Sequence, residues 1–149
     1  MAFAGLGLLI PGVIYLLSWP DTVKAFSLAF GSEWAVWASG LSVILLIFGG
    51  GTFLLARYLR HRYVRIGAVM ASVSLLLGSL VHYQWSNMMI DRLGMMPAGI
   101  SESERVMLED TILFAANAQV PHILKNLVLV GVCVMFYVLA PRLCRDVGG

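Results

Sequence analysis

Charge is scarce in this sequence. Asp, Glu, Lys and Arg make up 12% of its 149 residues, about half the share usual in soluble domains. The scarcity is also uneven. Met1–Pro20, Trp34–Ala56, Ile66–Met89 and Asn126–Pro141 contain none of the four. Cysteine is scarce too, with only Cys133 and Cys144. Eleven residues along one helix would hold them roughly 16 Å apart, too far for a disulfide. No Cys-x-x-Cys pair occurs, which argues against thiol–disulfide exchange chemistry. Gly49-Gly50-Gly51 is not followed by Lys and Ser or Thr, so it does not read as a phosphate loop. Close helix contact is the better reading of three glycines in an apolar run. No internal repeat or low-complexity segment stands out.

What is present is apolar length. A helix rises about 1.5 Å per residue, so roughly 20 apolar residues cross a hydrocarbon core of about 30 Å. The pattern predicts an all-α fold: a four-helix transmembrane bundle in a single membrane domain. The spans are expected at about 2–19, 34–56, 66–86 and 122–141. The first stretch has no Lys or Arg before Lys24, and Leu16-Leu17-Ser18-Trp19-Pro20 is a poor cleavage site. It is therefore expected as a retained span rather than a signal peptide, bent at Pro11-Gly12.

The few charges carry the orientation. Arg57, Arg60, Arg62 and Arg65 crowd one short loop, and Arg142 and Arg145 follow the last apolar stretch. Short loops rich in Lys and Arg stay cytoplasmic. Four spans with both termini cytoplasmic put both clusters on one side and seven of the eight acids on the other. The basic loop is thus read as topogenic, with no nucleic-acid role, and His61 within it as solvated. Short loops and compact length suggest a bacterial inner membrane.

Two outer segments have features of their own. Val23, Phe26 and Phe30 fall on one helical face between the first two spans, which suits a helix lying flat at the interface. Ser101 with Glu104 matches a capping box. It predicts an outer amphipathic helix over about 101–119, interfacial or partly embedded, after a turn at Met95–Gly99. Pro121 then kinks this helix or opens span four. In span three, Gly67, Ala68, Ala71 and Gly78 form a stripe of small residues, shared by Leu75 and His82, that lets helices approach closely.

Ionisable or polar groups inside a membrane are functional candidates. His82 ends span three and His122 starts span four. With Lys125 and Asn126 they converge at one outer-leaflet site if the two spans are neighbours. His122, Lys125, Asn126, Leu129, Cys133 and Tyr137 share a face of span four. Several chemistries fit. His82 and Lys125 with Glu109 or Asp110 would make a proton- or anion-handling site in a small transporter or channel component. His82 and His122 would serve as axial ligands of a b-type haem. Met88, Met89, Met95, Met96 and Met107 near His82 would suit Cu(I). Against these stands the plain reading, in which His and Lys snorkel to the interface and no cofactor is bound.

Asn87-Met88-Met89-Ile90-Asp91-Arg92 resembles the Asn…Asp-Arg segment of lipoprotein signal peptidases, four-span proteins with paired catalytic aspartates at the outer ends of spans three and four. Asp91 matches the first aspartate. At the second place Phe114-Ala115-Ala116-Asn117-Ala118 offers Asn117, and an amide takes neither proton role. The resemblance covers about a dozen residues and breaks at its second catalytic position, so no family is assigned and an enzyme is not the expectation. The leading expectation is a non-catalytic accessory or structural subunit of a membrane complex, or of an oligomer of itself.

Overall fold

The computed structural model describes residues 2–18, 20–21, 23–24, 33–97 and 99–144. Among them there is no strand. The helices are α1 (Ala2–Leu17), α2 (Glu33–Leu54), α3 (His61–Leu93), α4 (Glu102–Asn117) and α5 (Val120–Leu143). Three helical segments, Trp34–Leu54, His61–Leu93 and the joined Glu102–Arg142, are long and apolar enough to cross a membrane. The apolar part of α1, Phe3–Leu17, is shorter. Phe26 and Phe30 of the proposed interfacial face lie outside the described residues.

Two helix boundaries depart from the sequence expectation. α3 has 33 residues, about 50 Å of helix. It begins at His61, so Arg62 and Arg65 sit in its first turns and only residues 55–60 form the connection. It also runs past the apolar stretch to Leu93, because no Pro or Gly falls between Met89 and Gly94. α1 continues through Pro11 without a break. Proline removes one N–H and strips the carbonyl four residues earlier, on Gly7, of its helical donor.

The capping box forms as the sequence predicts. Glu104 N donates to Ser101 Oγ at 3.3 Å, and Ser101 N donates to Glu104 Oε2 at 3.0 Å. Gly99, just before it, has φ 105°, where only glycine is unstrained. Between α4 and α5 only Ala118 and Gln119 intervene, both in right-handed helical conformation. Pro121 is the second residue of α5, where no intrahelical N–H is needed.

The packing is a row of antiparallel neighbours. α2 packs on α1 and α3, α3 packs on α2, α4 and α5, and α1 and α5 are not principal partners. The triple glycine shows how α2 serves two neighbours. A Cβ on Gly49 would meet Ala71 Cβ at 2.7 Å and the Gly67 carbonyl at 2.8 Å on α3. One on Gly50 would meet Leu9 N at 2.9 Å and the Gly5 carbonyl at 3.0 Å on α1. Gly51 faces open space. At Gly67 a Cβ would overlap the Thr52 hydroxyl, itself bonded to the Gly49 carbonyl at 2.8 Å. Small residues thus bring backbones together where lipid provides no hydrophobic drive.

Farther along the same interface, Ser42 Oγ donates to the Ser74 carbonyl at 2.9 Å and Ser74 Oγ to the Ser42 carbonyl at 2.6 Å. The end of the bundle nearest the 55–60 connection is densely filled. Phe53 and Phe136 rings lie 5.0 Å apart over buried Val64, Ala68, Cys133 and Ala140. Arg65 ties this end together, its Nε donating to the Tyr137 carbonyl at 3.3 Å. Cys133 and Cys144 are both buried and free.

Candidate ligand cavity

The opposite end of the row is not filled. A cavity of about 380 Å³ is walled by α1, α2, α3 and α5 and reaches Gln119 at the α4–α5 junction. It is only partly enclosed, as expected where α1 and α5 fail to close the row. Its inner floor is apolar: Leu8, Leu46, Leu75 and Leu129 belong both to its lining and to the packed core or its margin. Its upper wall is polar, with His82, Gln119, Lys125 and Asn126.

Antiparallel packing of α3 on α5 makes this convergence. It sets Gly78 beside Asn126 and His82 beside the start of α5, while α3 at Arg65 meets Tyr137. Gly78 makes room for the Asn126 amide, since a Cβ there would meet Asn126 Nδ2 at 3.3 Å, a tight contact.

Hydrogen bonding fixes the state of His82. Its Nδ1 lies 2.8 Å from Gln119 Oε1, while Gln119 Nε2 donates to the Ala115 carbonyl at 3.3 Å. The amide oxygen can only accept, so Nδ1 carries the proton. In the neutral ring Nε2 is then the acceptor. His122 stacks on His82, with ring centroids 4.9 Å apart and planes 11° from parallel. Stacked in this way, the rings leave no space between them for a porphyrin held axially on both sides. No group of three or more His, Cys, Asp or Glu suited to a metal occurs among the described residues.

Asn126 is the anomaly of the site. It is only 7% exposed and lines the cavity. Among the described residues no hydrogen bond to its amide exists, although Ser42, Ser74, His82 and Gln119 nearby are all bonded elsewhere. A buried polar group left without a partner costs about 1–3 kcal/mol. Lys125, its neighbour in sequence, is exposed and also borders the cavity. The one ion pair among the described residues is Arg105 with Glu109, 3.0 Å apart, so Lys125 has no carboxylate there.

The remaining candidates from the sequence lie elsewhere. Glu109 is taken by Arg105, one turn back on α4, and neither Glu109 nor Asp110 lines the cavity. Met88 and Met89 sit half-buried in the last turns of α3, also away from the lining. Asp91 and Asn117 are both exposed and outside it. Arg57, Arg60, Arg62 and Arg65 occupy the opposite end of the row, where Arg62 and Arg65 lie over the Tyr63 and Tyr137 rings at 4.9 and 5.2 Å.

Sequence reasoning overlooked Gln119, which lies in the two-residue junction and orients His82. It also overlooked Ser42 and Ser74, whose cross-helix pairing no spacing rule reveals. Tyr15, Ser39 and Trp85 in the lining were missed as well. No family model, curated protein or solved structure matches this chain.

Proposed function

We propose that this is a four-span membrane protein that holds a small ligand in the cavity between α1, α2, α3 and α5, as a binding or transport component. In this reading the basic end, with both termini, is cytoplasmic, and the cavity opens in the outer leaflet. A bacterial inner membrane suits so compact a chain. α1 crosses as the fourth span beside the three longer segments, its 16 residues giving about 24 Å of helix.

The observation that carries the reading is the unpartnered Asn126 amide in the wall of a cavity of ligand-binding size. Binding pockets are typically about 300–1,000 Å³, mostly apolar, with a few convergent polar groups. Thermal unfolding in detergent, with a panel of membrane-soluble small molecules, tests it. A ligand that binds only the folded state raises the midpoint. Gly7 lines the cavity and has nothing within 4 Å of a Cβ, so Gly7→Leu starts its side chain in open space and adds bulk at the cavity wall. The increment should appear in the native protein and vanish in Gly7→Leu. A panel that shifts both equally, or neither, contradicts the reading.

A second reading has its own support. The row leaves α1 packed chiefly on α2 and α5 chiefly on α3, with large apolar side chains such as Ile14, Val128 and Val138 exposed. Lipid covers such faces, and so would helices of other membrane subunits or of further copies. Mild-detergent pull-down with mass spectrometry separates the two, because a lone monomer counts against the accessory-subunit role.

A further inference from the structure

We propose that the ligand is a single-chain, membrane-dissolved amphiphile with a carboxylate head, gripped by Lys125 and Asn126. This rests on the cavity being a ligand site and adds the chemistry of what fills it. Charge gives the sign of the head. Among the described residues of the lining Lys125 is the only Lys, Arg, Asp or Glu, so no carboxylate of that set stands beside its ammonium. Asn126 supplies an unused amide whose Nδ2 is a donor, turned toward Gly78 on the facing wall. An ammonium and an amide donor on consecutive residues of one cavity wall suit the two oxygens of one carboxylate, and charge-assisted bonds of this kind are the strong ones.

Volume and shape give the rest. At about 30 Å³ per water-sized volume, the 380 Å³ cavity holds roughly a dozen such volumes. That admits a carboxylate with the first part of one chain and is too small to enclose the head group and both chain roots of a two-chain lipid. The apolar floor of Leu8, Leu46, Leu75 and Leu129 receives the near part of the chain. Because α1 and α5 are not principal partners, the remainder of the chain would run out between them into the bilayer.

Trp85 lines the cavity and reports on it. In a variant with Trp19, Trp34 and Trp37 changed to Phe, its fluorescence is followed while two probes are added to phospholipid vesicles. One probe is a fatty acid brominated next to its carboxylate, the other is its methyl ester. The carboxylate should quench saturably, at a concentration at least about tenfold below the ester, a factor equal to one good interaction. Lys125→Gln should erase that preference and Lys125→Arg retain it. Equal saturable quenching by both probes, or a preference that survives Lys125→Gln, overturns the carboxylate assignment and leaves the cavity as a ligand site. Quenching by both that only rises linearly with their content in the membrane, unchanged by Gly7→Leu, overturns the cavity reading itself.

Discussion

Lys125 and Asn126 are adjacent in sequence and opposite in environment. The cation is exposed while the neutral amide is buried without a hydrogen bond among the described residues. A buried amide serving only as packing would be better replaced by an isostere of hydrocarbon. Asn126→Leu should therefore raise the stability of the ligand-free protein by about 1 kcal/mol, the low end of the cost of an unsatisfied polar group. Thermal or denaturant unfolding in detergent measures it. A loss of stability of the same size would mean that the amide already has a partner. The glycines make a matched pair of opposite sign. Gly67→Ala pushes a methyl into Thr52 and should destabilise by about 1–3 kcal/mol. Gly51→Ala meets nothing within 4 Å and should stabilise by about 0.5–1 kcal/mol, because alanine loses less freedom in a helix. If both changes have the same sign, the close approach of α2 to α3 is wrong.

At the scale of elements, what the sequence revealed depended on whether a signal was local. The Ser101–Glu104 box needs only residues three apart, and it formed. The small-residue stripe of α3 is a property of one helix face, and Gly67, Ala68 and Ala71 are indeed buried against a neighbour. The meeting of His82 with the start of α5 is expected if the two spans are neighbours, since one histidine ends its span and the other begins the next. By contrast, the Ser42–Ser74 clasp and the Gln119–His82 bond join residues whose meeting depends on the rotation of two helices, which composition does not encode. In the sequence Glu109 groups with His82 and Lys125 for its charge, whereas its own helix offers Arg105 one turn back.

The cap of α4 has a pH dependence of defined sign. Bonds from the Ser101 hydroxyl and backbone hold the Glu104 carboxyl below its ordinary range. A depressed folded value means that the contribution is present above the unfolded carboxylate pKa and is lost as pH falls through the folded one. Amide hydrogen exchange in the first turn of α4 should accelerate, relative to its intrinsic rate, only on that acidic side. Ser101→Ala should remove about 1 kcal/mol of local protection at neutral pH. A first turn equally protected in Ser101→Ala would show the box to be energetically idle.

For the whole molecule, the charges and the packing are polarised along the same axis. Arg57, Arg60, Arg62, Arg65 and Arg142 gather at the densely packed end, and Glu102, Glu104, Glu109 and Asp110 at the end with the cavity. On the proposed topology, the end that holds the bundle together is the one that basic residues would retain on the cytoplasmic side. The looser end, with its polar pocket, would then face the outer leaflet, where the proposed amphiphile would enter from lipid. On that topology the cavity lies in the outer leaflet. Single-cysteine variants Arg60→Cys and Glu104→Cys, made with Cys133 and Cys144 changed to Ala, test it in intact cells with an impermeant thiol reagent. Glu104→Cys should be labelled at once, and Arg60→Cys only after the membrane is permeabilised. Labelling of Arg60→Cys in intact cells, with Glu104→Cys protected, would put the cavity in the inner leaflet and contradict the account.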